Sequence, residues 1–128
     1  MTQRCAIFSG SEYEERFGYA RAVLDGDRVH VSGTTGFDYA TMTISDDVAE
    51  QTEQCLRTIA SALAEAGGSI ADVVRVRYLL PSGADFEACA PVLSRWFGDV
   101  RPAATMMVVG LLDPRMKIEI EVEAHLSS

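Results

Sequence analysis

The segment KIEIEVEA, residues 117–124, alternates Ile118, Ile120 and Val122 with Glu119, Glu121 and Glu123 without interruption. An extended chain sends successive side chains to opposite sides, so this stretch predicts a strand with one apolar face and one carboxylate face. The apolar face has to be buried. The three carboxylates repel one another and must look at water, at arginines or at a ligand.

The segment YARAVLDGDRVHVSG predicts a hairpin, with Asp25-Gly26 as the turn signal between runs holding Val23, Leu24, Val29 and Val31. GTTGFDYATMTIS follows as a loop. A helix is predicted over about 46 to 66, with Ser45 and Asp46 as available caps and Asp47 and Glu50 near its positive end. Val48, Thr52, Cys55, Leu56, Ile59 and Leu63 form one stripe at helical spacing, and Gly67-Gly68 ends it. VVRVRYLL, residues 73–80, is a strand with Val74, Val76 and Tyr78 on one side and Arg75 and Arg77 on the other.

A second helix is predicted over roughly 85 to 97, with Phe86, Cys89, Leu93, Trp96 and Phe97 facing inward. Pro91 calls for either a kink or a helix that starts at the proline. ATMMVVG and MKIEIEVEA make the last two strands, around the loop LLDPR. The order β-β-α-β-α-β-β implies one α+β domain over residues 1–128. Two helices cover one face of such a sheet; the other must be polar or covered by another chain, so association is expected. If the arginine face of 73–80 meets the carboxylate face of 117–124, Glu121 and Glu123 pair with Arg75 and Arg77 across strands or subunits.

The net charge of −8, with Lys117 as the single lysine, argues against nucleic acid as a partner. No apolar run approaches the roughly 20 residues of a membrane helix, and MTQRCAIFSGSEYEERFG lacks the apolar core of a signal peptide. A cytoplasmic protein without a membrane partner is expected. Cys5, Cys55 and Cys89 form no CxxC pair, and His30 and His125 have no second ligand nearby, so neither a metal nor another cofactor is expected. Cys55 and Cys89 read as buried thiols and the histidines as structural.

Four stretches in order carry a family resemblance: GYARAV at 18–23, VHVSGTTG at 29–36, DVAEQTEQCLRTIASALAEAGGSIADVVRVRYLL at 47–80 and RPAATMMVVGLLDPRMKIEIEVEA at 101–124. From about Gly18 to Ala124 the chain resembles the Rid superfamily, also called the YjgF/YER057c/UK114 family. The resemblance implies a chorismate-mutase-like sheet with two helices on one face, three such subunits around a central barrel, and small-molecule clefts between subunits. It also implies hydrolysis of reactive enamines and imines, such as those from 2-aminoacrylate, to a keto acid and ammonia. The family glutamate that positions water falls on Glu119, the cleft tyrosine on Tyr19, and a Ser-Gly pair on Ser32 and Gly33.

One departure bears on function. Imine-hydrolysing members carry Pro-Ala-Arg-Ser/Thr, with the arginine gripping the substrate carboxylate in a two-pronged pair. Here the motif is Pro102-Ala103-Ala104-Thr105, followed by Met106. Arg101, or Arg21 two residues after Tyr19, is left as a possible substitute anchor, each with a solvated surface arginine as its plainer reading. The lining of Ala104, Thr105 and Met106 suits an uncharged or weakly polar ligand. A hydrolase or deaminase acting on something other than a 2-imino acid is expected, and a non-catalytic trimer that binds a metabolite or a protein is the alternative. The family's older label of endoribonuclease is opposed by the acidic balance.

Overall fold

A computed structural model describes residues 4–127. Eight strands and three helices run in the order β1 (Arg4–Ile7), α1 (Glu12–Phe17), β2 (Ala22–Asp25), β3 (Arg28–Thr35), β4 (Phe37–Asp38), β5 (Thr43–Ile44), α2 (Val48–Glu65), β6 (Val73–Leu80), α3 (Ala90–Phe97), β7 (Ala103–Val108) and β8 (Glu119–His125). Six strands form one sheet in the order β1-β2-β3-β8-β6-β7, and β4-β5 is a separate small hairpin. All pairs in the main sheet are antiparallel except β6 with β7.

The alternating strand is placed as its pattern demands. Ile118, Ile120, Val122 and Ala124 are buried, while Glu119, Glu121 and Glu123 stand on the other face at intermediate exposure. The buried face packs against α2 and α3. Val48, Thr52, Cys55, Leu56, Ile59 and Leu63 of α2 are all buried against it, as are Val92 and Phe97 of α3. Removing this much apolar surface from water is the main source of the fold's stability.

Helix ends depart from expectation by a residue or two. The N-cap of α2 is Asp47, whose carboxylate accepts from the Glu50 N–H at 2.9 Å; Ser45 and Asp46 do not cap it. Ser45 instead supports the cap, its Oγ accepting from the Asp47 N–H at 3.1 Å. At the other end Gly67, with φ +91°, turns the chain so that the Gly68 N–H reaches the Leu63 carbonyl at 2.8 Å. The second predicted helix resolves into two 3₁₀ turns and then α3, with Pro91 in its first turn. A proline there gives up an N–H that the helix would not have used.

Three features lie outside the predicted order. Strand β1 adds an edge to the sheet by pairing with β2. Helix α1 is capped by the Ser11 hydroxyl, which accepts from the Tyr13 N–H at 3.2 Å, and closes on Gly18 at φ +74°. Part of the expected Gly/Thr loop is ordered as the β4-β5 hairpin, with Phe37 opposite Ile44 and Asp38 opposite Thr43. On β6, Val74 is 51% exposed rather than inward with Val76 and Tyr78. The pairing with β8 slips between Val73 and Arg75, which lie opposite the adjacent residues Ala124 and Glu123. Val74 is thus one residue too many, and a bulge turns it out of the core.

Candidate functional site

On the face opposite α2 and α3, the seam between β3 and β8 opens into a cleft of about 650 Å³. Its floor is Ser32, Gly33 and Thr35 of β3 with Glu119 and Glu121 of β8. Tyr13 and Phe17 of α1, then Tyr19, wall one side; Leu112, Asp113 and Met116, from the connection before β8, wall the other. No helix of the described residues is long and apolar enough to cross a membrane.

The β3-β8 register shifts between Val31, opposite Val122, and Thr34, opposite Ile120. Two residues of β3, Ser32 and Gly33, therefore face one residue of β8, and the ladder opens where the cleft lies. The Glu119 carboxylate folds over Gly33. A Cβ at position 33 would lie 3.0 Å from Glu119 Cδ and 3.3 Å from Cγ, and would overlap Oε2 outright. Glycine is the residue that leaves this room.

Among the described residues nothing hydrogen-bonds the Glu119 carboxylate. Burial raises its pKa above the usual 4.5, and the neighbouring charge of Glu121 raises it further; the Arg21 guanidinium works weakly the other way. A half-buried carboxyl shifted upward and open to a cleft can hold a water and exchange a proton with it. Hydroxyl-bearing Ser32, Thr35 and Tyr39 line the same cleft. The Tyr39 Oη accepts from the Thr35 N–H at 3.0 Å and shares a second bond of 3.0 Å with Thr35 Oγ1. The Ser32 hydroxyl donates to the Ala20 carbonyl at 2.7 Å, which leaves its oxygen lone pairs for a ligand.

Arg21 is a finding of the tertiary structure. It is only 1% exposed, not a solvated surface residue. Its Nε donates to Glu14 at 3.1 Å, and its Nη1 donates to the Gly33 carbonyl at 2.8 Å and to Thr34 Oγ1 at 3.1 Å. The guanidinium also lies 4.6 Å from the centroid of the Tyr39 ring. Arg21 therefore braces Gly33 from behind rather than lining the cleft; its Nε and Nη1 are engaged by Glu14 and β3, while its buried Nη2 has no partner among the described residues. The hint in the sequence was Ser11-x-x-Glu14, a helix-start pattern whose glutamate is the partner.

The sequence-derived residues separate into two groups. Tyr19, Ser32, Gly33 and Glu119 meet in the cleft. Ala104 and Met106, with Arg101, line a different groove beside α3, on the buried-face side of the sheet, together with Tyr78 and Phe97. Strand register explains the split. Glu119, Leu79 and Met107 share one row across the strands, and Glu121, Arg77 and Thr105 share another, which places Thr105 on the carboxylate face and its neighbours Ala104 and Met106 on the other. Arg77 donates to Glu121 at 3.2 Å, while Arg75, opposite Glu123, donates to Thr105 Oγ1 at 3.1 Å. Glu123 lies 4.0 Å from His30.

A one-sided α+β sheet with a carboxylate held over the seam between two strands gives the molecule an acidic cleft on its helix-free face. Residues 10–126 match the family described as Endoribonuclease L-PSP, and the chain belongs to it, the same group as the YjgF/YER057c/UK114 or Rid superfamily. It is 42% identical over 120 residues to an uncharacterised protein of Streptomyces coelicolor, spanning 93% of this chain and 90% of that protein. Identity to the 3-aminoacrylate deaminase RutC of Acinetobacter baylyi is 36% over 109 residues, spanning 84% of this chain and 86% of that one. The solved structure of Rv2704 from Mycobacterium tuberculosis, of the YjgF/YER057c/UK114 family, superposes with a TM-score of 0.88 at 39% identity, covering 97% of this chain and 100% of that chain.

Proposed function

We propose that the protein is a homotrimeric hydrolase of the deaminase type, which binds a small molecule in clefts between subunits and cleaves a carbon–nitrogen bond with Glu119 as the group that positions and deprotonates water. The observation that carries this reading is the Glu119 carboxyl itself, half-buried over Gly33 and raised in pKa by burial. A base whose pKa is drawn up toward neutral accepts a proton from water more readily than an ordinary carboxylate does. The deaminase among the relatives supports release of ammonia as the reaction type.

The substrate would not be a standard 2-imino acid. Ala104 stands where such a substrate's carboxylate would need a guanidinium. Two observations support assembly. Strand β7 leaves Met106, Met107 and Val108 exposed, Val108 to 69%, an apolar edge that favours being covered. Moreover, Ala104 and Met106 lie across the sheet from Glu119, so they complete its cleft only if a second copy brings them there.

The test is turnover of freshly generated imines by wild type and by Glu119→Gln, with trimer mass followed by light scattering. Loss of about 10²–10⁴ in kcat with the trimer intact is expected of a missing base. Equal rates in the two proteins would refute the assignment of Glu119. Gain of 2-iminopropionate hydrolysis by Ala104→Arg would locate the missing carboxylate anchor. A non-catalytic binding trimer is the second reading, favoured by that missing anchor; it predicts no turnover of any imine and altered ligand affinity in Glu119→Gln.

A further inference from the structure

We infer that the cleft selects a small cationic nitrogen compound without a carboxylate, an iminium ion, over an anionic imino acid; the chemistry of its conversion rests on the hydrolase reading above. The charge that one copy lends the cleft is of one sign. Asp113, Glu119 and Glu121 line it, and among the described residues no lysine or arginine does. Two of these acids are answered from outside: Arg115 pairs with Asp113 at 2.7 Å and Arg77 with Glu121 at 3.2 Å. Glu119 has no such partner among the described residues. Arg21, the cation behind it, pairs with the buried Glu14 at 3.1 Å and makes no hydrogen bond to Glu119. One carboxylate without an ion-pair partner among the described residues therefore faces the ligand, its charge offset only in part by Arg21.

Aromatic rings stand over the same space. Tyr13 and Phe17 stack with centroids 6.2 Å apart, and Tyr19 adds a third ring. The faces of such rings attract cations. The Arg16 guanidinium already lies 5.1 Å from the Phe17 centroid, so this ring takes a cation in the protein's own structure. A ligand carboxylate would meet the opposite: like charge at Glu119 and no guanidinium at Ala104. Arg101 lines the same groove as Ala104 and Met106 and, like them, reaches the cleft only from a second copy, so its effect is one that the test below must separate.

The step balances without a co-reactant other than water. Water oxygen adds to the iminium carbon as Glu119 takes its proton, giving a neutral carbinolamine. Protonated Glu119 passes that proton to nitrogen, the C–N bond breaks with its electron pair on nitrogen, and the hydroxyl proton leaves to ammonia. The sum is R₂C=NH₂⁺ + H₂O → R₂C=O + NH₄⁺. Two-electron oxidation of a primary amine is the reaction class that supplies such an ion.

Two probes test the inference independently of each other. The first is the imine released from benzylamine by a flavin-dependent amine oxidase, compared with 2-iminopropionate at equal concentration. The second is binding of benzyltrimethylammonium, which cannot react, compared with phenylacetate. The benzyl imine is expected to be hydrolysed faster, and the quaternary cation to bind at least about tenfold more tightly than phenylacetate and to lose that advantage in Glu119→Gln. Faster hydrolysis of 2-iminopropionate, abolished by Arg101→Ala, would overturn the cation preference and leave the hydrolase reading standing. Cation binding that depends on Glu119 without turnover of either imine would uphold the preference and overturn the hydrolase reading. Absence of both binding and turnover would overturn both.

Discussion

Gly33→Ala separates a glycine needed for catalytic geometry from one needed for packing. A Cβ at position 33 would lie 3.0 Å from Glu119 Cδ and 3.3 Å from its Cγ. Carbon atoms rest about 3.5–4.0 Å apart, so the carboxylate must swing outward by roughly 0.5–1 Å. The obstructing atoms are the far end of a flexible side chain, which yields at about 0.5–1.5 kcal/mol for an off-rotamer angle. In a domain of this size that corresponds to a fall in melting temperature of a few degrees. Activity has no such latitude, because a misplacement of about 1 Å in a catalytic group costs on the order of 10²-fold. Gly36→Ala is the comparator: its Cβ would meet Gln51 Cβ at 2.5 Å and the Gln51 Cα at 2.8 Å, and backbone cannot swing aside. Overpacking there should cost about 1–3 kcal/mol or more. Thermal melts, turnover and ¹³C titration of the Glu119 carboxyl are the assays. Displaced toward water, that carboxyl should titrate closer to the ordinary value in Gly33→Ala. Unchanged titration and turnover in Gly33→Ala, or a larger loss of stability there than in Gly36→Ala, would refute the reasoning.

Three further outcomes are expected. The pKa of Glu119 is raised in the folded state, so between the unfolded value near 4.5 and the folded one the native state holds more protons and stability falls as pH rises. Glu119→Gln should therefore raise the melting temperature at pH 7, with the gain vanishing below the unfolded pKa; a gain that persists in acid would contradict this. Gln51 is fully buried, donating to the Ser45 and Arg115 carbonyls at 2.7 and 2.9 Å and accepting from the Lys117 N–H at 2.9 Å. Urea unfolding of Gln51→Leu should show a loss of about 3 kcal/mol or more, from three orphaned backbone groups. Arg21→Met leaves the Glu14 carboxylate, 3% exposed and then bonded only by Ser9, without its cation and should cost about 3–5 kcal/mol; adding Glu14→Leu should restore part of that in a double-mutant cycle.

What could be read in advance was local. Alternation in 117–124 placed Glu119, Glu121 and Glu123 on one face, and three-four spacing placed the buried stripe of α2. Both are periodicities that adjacent residues set among themselves. The proline at the start of α3 was legible for the same reason. Helix α1 was not anticipated: Ser11, Glu14 and Gly18 mark its ends, but six residues are too few for a periodic stripe to announce it.

The remaining features depend on partners far along the chain. Val74 turns outward because β8 offers no residue opposite it, and nothing within 73–80 records that. Arg21 looks like any surface arginine until Glu14, Gly33 and Thr34 close around it. The same holds for the division of the site. Motif order aligned Ala104 and Met106 with Glu119, yet β7 stands two strands from β8 with those side chains on the other face. Period and capping are short-range and survive in the bare sequence, whereas register, bulges and buried charge pairs arise only when distant strands meet.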